Sequence, residues 1–372
     1  MTRTAEIAGA GFGGLTVATE LARRGWRVRV HEQAIRPPAF GAGIFLWENG
    51  LRVLEELGGL PAALARCYEA PHWEERDADG DLLGVRPLPL PDGLRMVTLT
   101  RHDLLAVLLE RAAQAGVELR PASRVTAADP EGALVTADGT RWEADLVVGA
   151  DGIRSVVRGS LGLLDRHERF DFGLYRFLVP RDRAPGRDGR WGGYVNYWHL
   201  NLRRRVLYVP CNDEDLYLLL GALIGDPALA TPLDAELWCS TFPSLRPVLA
   251  ELPESPRYDQ YEVLSLREWS AGRAAVVGDA AHAMPPTIGQ GAGTAMMNAI
   301  NLARAVSDHE DVPTALRLWE DENRPLTEQT QEESMTALRA LFPRSDARPG
   351  GWSDGTLTVA ATRPTSRRST SG

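Results

Sequence analysis

The chain has 372 residues, a hydrophobic fraction of 44% and a formal net charge of −9. This length and apolar content suffice for one large core or two fused cores, so overall disorder is not expected. All 41 basic residues are arginines, and the acidic excess disfavours a nucleic-acid partner, because neutralising phosphates requires a basic surface.

The first residues pass directly into a strand pattern without the apolar stretch of a secretory signal, which predicts a cytoplasmic protein. No apolar run approaches the roughly 20 residues that span a bilayer, so no membrane partner is expected. Cys67, Cys211 and Cys239 are odd in number and far apart. They match neither a disulfide framework nor a metal-ligand pattern, so we predict reduced structural thiols and no bound metal.

Residues 5–32 predict a βαβ unit, the start of a doubly wound sheet. An apolar strand at Ile7 and Ala8 leads into a glycine turn, an amphipathic helix runs to Arg24, and a second strand covers 28–31. Further helices are predicted at 50–57 and 101–114, and strands at 117–119, 134–136 and 146–148.

Residues 173–263 show a different pattern, in which aromatic and polar residues alternate around the apolar run 216–220. This pattern predicts a mainly antiparallel sheet in an inserted domain. A strand at 274–277 and a long helix at 294–306 then return to the character of the first domain. The first domain is therefore predicted to be discontinuous in sequence.

The sequence Gly9-Ala10-Gly11-Phe12-Gly13-Gly14 is a G-x-G-x-x-G turn between a predicted strand and a predicted helix. In this context the first glycine permits a tight turn, the second lets the backbone approach a pyrophosphate, and the last lets the helix pack closely. Glu32 ends the second strand, where a carboxylate can accept both hydroxyls of an adenosine ribose. The motif predicts a dinucleotide and does not by itself distinguish NAD from FAD.

A second motif favours FAD over NAD. A short apolar strand ends at Asp279, where a carboxylate can bind a polyol such as a ribityl chain. The glycine run 289–293 precedes a helix, whose N-terminus would face the pyrimidine edge of a flavin, where reduction leaves negative charge. An NAD-dependent dehydrogenase, the main rival class, has no use for this second site.

A third motif, Ala150-Asp151-Gly152, again ends a predicted strand and is followed by Arg154. Asp151 is a candidate cofactor ligand. The alternative is that Asp151 only caps a strand-to-helix turn.

Together these motifs predict an α/β fold, α+β overall. A doubly wound, FAD-binding Rossmann-like domain (1–72 with 97–170 and 264–345) carries an inserted, mainly antiparallel β-sheet substrate domain (73–96 with 171–263). Residues 346–372 are rich in Arg, Pro, Gly, Ser and Thr, which predicts a flexible C-terminal tail.

In this order the three motifs resemble the class A flavoprotein monooxygenases, over nearly the whole chain to about residue 341. The resemblance implies FAD as cofactor, Arg101 near the flavin and pyrophosphate, Val125 against the adenine, and Gly41 beside the ring system. The full predicted cofactor set is Gly9, Gly11, Phe12, Gly13, Gly14, Glu32, Gln33, Gly43, Ile44, Arg101, Val125, Asp151, Asp279, Pro286, Gly289, Gly291 and Ala292.

Within that family, the segments FGAGIFLWENGLRVLEELG, LYVPCNDEDLYLLL and RYDQYEVLSLREW are similar to the 2-methyl-3-hydroxypyridine-5-carboxylic acid oxygenases. That likeness implies a substrate pocket in which Arg176, Arg205, Tyr217 and Tyr261 are the catalytic polar residues. Phe45, Trp73 and Pro286 complete the predicted pocket, and Phe45 and Trp73 stand where those enzymes carry tyrosines. Losing two hydroxyls removes hydrogen-bond partners, which favours a larger or less polar substrate.

The residues also allow less specific interpretations. On a strand, Arg205 shares a face with Leu207 and Val209, as a pocket wall requires. Yet Arg203, Arg204 and Arg205 form a charge run, and such runs usually face solvent. His282, beside the second glycine turn, is predicted to be structural and not a catalytic base.

The resemblance implies that NADH or NADPH binds transiently and reduces the flavin, and that O2 then forms the flavin carbon-4a hydroperoxide. This electrophile would hydroxylate an electron-rich hydroxylated pyridine or related aromatic ring, with or without ring opening. The alternatives are a phenol-type hydroxylase that tailors an aromatic natural product without ring cleavage, and a non-enzymatic flavin-bound sensor. The expected partners are a small aromatic substrate, O2 and, as an open question, further copies of the chain.

Overall fold

A computed structural model of the chain describes residues 2–35, 42–90, 93–183, 192–250, 252 and 256–341. The predicted flavin contact at Gly41 and the predicted tail, 346–372, lie outside these described residues. The predicted limits of the two domains remain predictions.

The strands, in chain order, are β1 (Thr4–Ala8), β2 (Arg27–His31), β3 (Gly43–Trp47), β4 (His72–Asp77), β5 (Leu82–Pro87), β6 (Met96–Thr100), β7 (Glu118–Arg120), β8 (Val125–Asp129), β9 (Ala133–Thr136), β10 (Arg141–Glu143), β11 (Leu146–Gly149), β12 (Leu164–Pro180), β13 (Tyr194–His199), β14 (Arg204–Pro210), β15 (Asp215–Leu223), β16 (Arg257–Leu266), β17 (Ser270–Ala271) and β18 (Ala274–Val276). The α-helices are α1 (Phe12–Arg23), α2 (Glu48–Glu56), α3 (Leu60–Leu64), α4 (Arg101–Gln114), α5 (Val156–Ser160), α6 (Ala235–Thr241), α7 (Arg246–Leu249), α8 (Asp279–His282), α9 (Gly291–Asp308) and α10 (Val312–Ala340).

The predicted βαβ unit is β1–α1–β2, and it forms the centre of a parallel sheet. Within the described residues the strand order is β17-β18-β11-β1-β2-β7, with β17 antiparallel to β18 and the other pairs parallel. The carboxyl ends of β2, β1, β11 and β18 are therefore neighbours along one edge. Ligands of open α/β sheets bind outside such an edge.

A second sheet, whose order over the described residues is β16-β12-β15-β14-β13-β4-β5, is antiparallel except for the parallel pair β13 and β4. One face packs against α6 and α7, around Trp238 and Phe242. The opposite face carries a cluster that includes Trp198, Leu207 and Tyr217. The predicted fold class, a doubly wound domain with a mainly antiparallel sheet inserted in it, is thus confirmed.

One long helix was not predicted. In α10 (Val312–Ala340) the buried face includes Thr327, Thr330, Gln331 and Ser334, so the apolar repeat that marks a helix in sequence is weak over half of its length. These polar groups are satisfied locally: the Gln331 amide donates to the carbonyls of Leu264 and Ala283 at 2.9 and 3.0 Å. The helix packs beside the second glycine turn, where Thr287 Oγ1 donates to the Ser334 carbonyl.

Candidate functional site

The turn between β1 and α1 has no room for side chains at two of its glycines. Gly9 has φ +98°, and a Cβ there would lie 2.5 Å from the carbonyl oxygen of Ala150. A Cβ at Gly14 would lie 2.0 Å from the Gly9 carbonyl oxygen. Both contacts are far inside van der Waals distance, so the backbone can follow this path only with glycine. Gly14 serves this close packing and lines neither of the two cavities that border the other glycines of the turn.

The start of α1 carries free backbone donors. Gly11 is the N-cap residue, and no side chain accepts from the first-turn N–H groups. A Cβ at Gly11 would have its nearest neighbour 4.0 Å away, so this residue faces open space. An uncapped helix N-terminus beside open space is a site for an anion such as a pyrophosphate.

A cavity of about 520 Å³ extends from this turn to the end of β2, and we call it the Glu32 cavity. The Glu32 carboxylate accepts the Ala10 and Ala34 amides, both at 2.9 Å, which fixes its orientation. Each carboxylate oxygen keeps a further lone pair for a ribose hydroxyl. The predicted residues that line this cavity are Gly9, Gly11, Phe12, Glu32, Gln33, Arg101, Val125 and Asp151.

Asp151 caps a strand-to-helix turn and also lines the Glu32 cavity. Its Oδ2 accepts the amides of Val156 and Val157 at 2.8 and 3.2 Å, at the start of α5. Its Oδ1 is buried without a hydrogen-bond partner among the described residues. Asp151 therefore stabilises the strand-to-helix turn and also keeps one oxygen for a ligand in the cleft.

The second glycine turn is held against β3 and α2. Gly289 has φ +66°, and a Cβ there would lie 2.9 Å from the Cβ of Phe45. Trp47 Nε1 donates to the Ile288 carbonyl at 3.1 Å, and the Asn49 amide donates to Gln290 Oε1 at 3.0 Å. Helix α9 then begins at Gly291 without a side-chain cap. Its free amides meet a cavity at Gly291 and Ala292.

That cavity, which we call the inner cavity, has a volume of about 330 Å³ and lies between the two sheets. It shares Arg101 and Gly152 with the Glu32 cavity, and both also border a wider outer cleft of about 1020 Å³. The structure thus brings together both glycine turns along one extended cleft. The predicted residues that line the inner cavity are Gly11, Phe12, Gly13, Gly43, Ile44, Phe45, Arg101, Arg176, Arg205, Tyr217, Tyr261, Asp279, Pro286, Gly289, Gly291 and Ala292.

Asp279 stands at the junction of these spaces. The walls of the cleft enclose its carboxylate, yet its surface is open to the cleft, and it has no hydrogen-bond partner among the described residues. Enclosure raises the pKa of Asp279, and the positive charges of Arg101 and Arg176 oppose that rise. The arrangement suits a carboxylate that accepts hydrogen bonds from the hydroxyls of a bound ligand.

Two arginines and two tyrosines form the polar part of the inner cavity. Arg176 Nε lies 3.3 Å from Asp259 Oδ2, and Arg205 Nε donates to Asn196 Oδ1 at 2.8 Å. Burial raises the pKa of Tyr217 to about 12 and also raises that of Tyr261. Both phenols are therefore protonated near neutral pH and act as hydrogen-bond donors.

The arginine run 203–205 divides between three environments. Arg203 is exposed, Arg204 is buried and forms an ion pair with Asp226 at 2.8 Å, and Arg205 is buried and lines the inner cavity. Trp73 does not line the inner cavity; its ring contacts that of Phe45, which does, at a centroid distance of 5.6 Å.

The comparison with protein families decides the class of the protein. A family model described as "FAD binding domain" matches residues 1–334. The chain belongs to this family. It is an FAD-dependent monooxygenase, as predicted, and the rival dehydrogenase assignment is wrong.

Three relatives with named activities support the same class. The 2-heptyl-3-hydroxy-4(1H)-quinolone synthase of Mycobacteroides abscessus is 43% identical over 337 residues, which cover 89% of this chain and 88% of the relative. The 6-hydroxynicotinate 3-monooxygenase of Bordetella bronchiseptica is 29% identical over 348 residues, 88% of this chain and 89% of the relative. A tetrameric form of 2-methyl-3-hydroxypyridine-5-carboxylic acid oxygenase has 41% identity and a TM-score of 0.85, covering 94% of each chain.

The residues of this monooxygenase fit FAD. The uncapped start of α1 and the open Gly11 would hold the pyrophosphate, and Glu32 would hold the adenosine ribose. Asp279 would accept from the ribityl chain, and the free amides at the start of α9 would face the flavin ring. Gly152 and Gly291 have no atom within 4 Å of an added Cβ, so both leave room along the same path. NADH or NADPH is the transient co-substrate of this class.

His282 does not line the cleft. Its Nε2 lies 3.1 Å from the Asn298 amide, and burial lowers its pKa to about 4. The ring is neutral at physiological pH and packs against Trp269, as expected of a structural histidine.

This pKa predicts a loss of stability in acid. Because the folded pKa lies below the unfolded value of about 6.5, the unfolded chain binds the proton first, and the contribution of His282 to stability disappears as pH falls toward 4. We expect roughly 2 kcal/mol of this contribution to be lost between about pH 7.5 and pH 5. Urea unfolding of the wild type and His282→Gln at both pH values measures it. An equal loss in both proteins would exclude His282 as the source.

Several residues of the site were not predicted. Asn196 contacts Arg205 directly, and Glu75 contacts it through Asn196. Both residues come from other strands of the sheet, and nothing in their local sequence predicts this contact. His31 and Arg124 line the Glu32 cavity. Over the described part of the chain, no cluster of His, Cys, Asp and Glu has the arrangement of a metal site. No helix in that part is long and apolar enough to span a membrane.

Proposed function

We propose that this monooxygenase adds one oxygen atom to a ring carbon of a 2-alkyl-4(1H)-quinolone, next to the ring carbonyl, without opening the ring. The observation that carries the proposal is the composition of the inner cavity. Two guanidinium groups and two protonated phenols stand at one apolar wall formed by Phe45, Leu207 and Leu219. The 43% identity to a relative named as the synthase of a 3-hydroxy-4(1H)-quinolone supports this substrate class.

The polar groups suit a ring that carries negative charge on oxygen. In a 4-quinolone, electron density from the ring nitrogen reaches the carbonyl oxygen and the carbon beside it. Arg205 and Arg176 would stabilise the negative oxygen, and Tyr217 and Tyr261 would donate hydrogen bonds to it. This favours the electron-rich form of the ring, the form that an electrophilic oxygen donor attacks.

The remaining lining residues exclude water and orient the ring. Bound FAD supplies the redox chemistry, in which NAD(P)H provides the electrons and O2 the oxygen atom. Phe45, Leu207 and Leu219 give an aromatic ring an apolar surface on which to lie, and Trp73 supports Phe45 from behind. The apolar Phe45 offers no hydroxyl to a substrate carboxylate, so a bicyclic ring with an alkyl chain fits this wall better than a charged pyridine does.

Oxidation of NADH and NADPH by the FAD-loaded enzyme tests the proposal directly. We expect 2-heptyl-4(1H)-quinolone to stimulate oxidation strongly, and the product mass to rise by one oxygen atom. 2-Methyl-3-hydroxypyridine-5-carboxylate is the comparison substrate in the same assay. Ring opening of this compound would raise its mass by two oxygen atoms. Stimulation by the pyridine alone would overturn the proposal in favour of ring opening, and stimulation by simple phenols alone would favour a phenol hydroxylase.

We also propose that the enzyme self-associates in solution, because the related oxygenase with 41% identity has a tetrameric form. Light scattering coupled to gel filtration measures the mass of the holoenzyme, and a monomer at all concentrations would contradict this.

A further inference from the structure

A buried path of hydrogen bonds leads across the second sheet to Arg205. Glu75 of β4 and Asn196 of β13 lie opposite each other in parallel register. Glu75 Oε1 accepts from the Asn196 amide nitrogen at 3.1 Å, and Asn196 Oδ1 accepts from Arg205 Nε at 2.8 Å. The path therefore starts at a carboxylate beyond the cavity wall and ends in the inner cavity.

The direction of each hydrogen bond in this path is determined by chemistry. Three donors converge on Glu75: the Asn196 amide, Trp73 Nε1 at 2.8 Å, and Trp198 Nε1. A carboxylate only accepts and a guanidinium only donates. The Asn196 amide must therefore turn its NH2 group to Glu75 and its oxygen to Arg205. Burial raises the pKa of Glu75, while the three donors and the charge of Arg205 oppose that rise.

The Arg205 side chain is held by Asn196 and by the Trp198 ring, while its terminal nitrogens face the inner cavity. Its Nε is bound by Asn196, and its guanidinium carbon lies 5.1 Å from the ring centroid of Trp198. Its terminal nitrogens have no hydrogen-bond partner within the described part of the chain, and the side chain lines the inner cavity. A guanidinium fixed in this way can offer a planar fork of two donors to an anion.

We propose that Glu75 and Asn196 are positioning residues, which orient Arg205 so that its two terminal nitrogens meet the negatively charged oxygen of the substrate ring. The proposal rests on the proposed function for the nature of that anion, but not for the orientation of Arg205. Contact with the Trp198 face attracts the guanidinium without fixing its rotation in the ring plane. The acceptor at Asn196 supplies that missing restraint, and Glu75 keeps the acceptor in place.

Crystal structures of the FAD-loaded wild type and the Asn196→Leu variant, both without substrate, test the orientation. We expect the guanidinium of Arg205 to rotate away from its wild-type position when the acceptor is removed. A guanidinium that stays in place would overturn the proposal. Glu75→Leu, which removes the acceptor of the Asn196 amide, is the second variant if Asn196→Leu does not fold, and the same displacement is expected from it.

A double-mutant cycle then separates positioning from a general structural role. The dissociation constant of 2-heptyl-4(1H)-quinolone is measured by flavin fluorescence for the wild type, Asn196→Leu, Arg205→Ala and the double variant. We expect Asn196→Leu to weaken binding about 10-fold when Arg205 is present, the value of one lost charge-assisted hydrogen bond, and less than about 2-fold when it is absent. Equal weakening in both backgrounds would contradict a role through Arg205.

Glu74→Gln is the matched control. Glu74 neighbours Glu75 on β4, points to the opposite side of the strand, and bonds to Arg76 at 2.6 Å, away from the cavity. It should leave both the Arg205 orientation and the dissociation constant unchanged. If the wild type fails to bind the quinolone at all, the proposed substrate is wrong, while the crystal structures still decide the orientation of Arg205.

Discussion

The Asp279→Ala variant should fold and yet purify largely without FAD. The Asp279 carboxylate is open to the cleft and has no hydrogen-bond partner among the described residues, so its removal breaks no contact within the folded chain. It would, however, remove the acceptor for the ribityl hydroxyls and the negative charge that Asp279 places near Arg101 and Arg176. A hydrogen bond to a charged group contributes about 1.5–3 kcal/mol, so FAD affinity should fall roughly 10- to 100-fold.

The measurement is FAD affinity by titration of the apoprotein, with the visible flavin absorbance as the readout. Asp279→Asn is the informative control, because it keeps an acceptor and removes the charge, and an intermediate affinity is expected. Circular dichroism should show the same secondary structure for all three proteins. An alanine variant that retains stoichiometric FAD through dialysis would refute the assignment of Asp279.

Arg205→Ala should have the opposite profile, with FAD retained and turnover lost. Arg205 lines the inner cavity from a strand of the second sheet and belongs to neither glycine turn. Removing it would cost the substrate anion a charge-assisted hydrogen bond, so we expect kcat/KM to fall roughly 10- to 100-fold. The coupling of NAD(P)H oxidation to product should fall as well, because a misplaced ring leaves oxygen to be released as hydrogen peroxide.

Arg203→Gln tests whether this effect is specific. Arg203 is two positions earlier in the chain and exposed, so its replacement should change neither FAD content nor kcat/KM. Steady-state kinetics with a peroxide assay would compare the three proteins. Wild-type kinetics in Arg205→Ala would remove Arg205 from the substrate site.

The cofactor part of the cleft was predictable because each of its features is local in sequence. The turn at Gly9 and Gly14 joins a strand to a helix within a few residues. Glu32 and Asp279 each follow the end of a strand, and the turn at Gly289 directly precedes a helix. The doubly wound topology then brings the strand ends to one edge, so their proximity follows from the fold class alone.

The polar half of the inner cavity was only partly predictable. The period of a strand places Arg205 with Leu207 on one face, but it does not tell which face is buried. The sequence of three arginines favoured a solvated face, whereas pairing with β13 and β15 buries Arg205. Glu75 and Asn196 meet Arg205 only through sheet register between distant segments, which no local pattern encodes.

The contact between strand β3 and the second glycine turn limits how this enzyme can be re-engineered. Phe45 lines the inner cavity and leaves no room for a side chain at Gly289, while Trp47, two residues on, donates to the Ile288 carbonyl. Mutations that widen the pocket at Phe45 would therefore also loosen the support of the flavin. Leu207 and Leu219 line the same cavity from the second sheet and, in the described structure, do not pack against the second glycine turn. Directed evolution toward bulkier rings should therefore find its productive mutations at these two leucines.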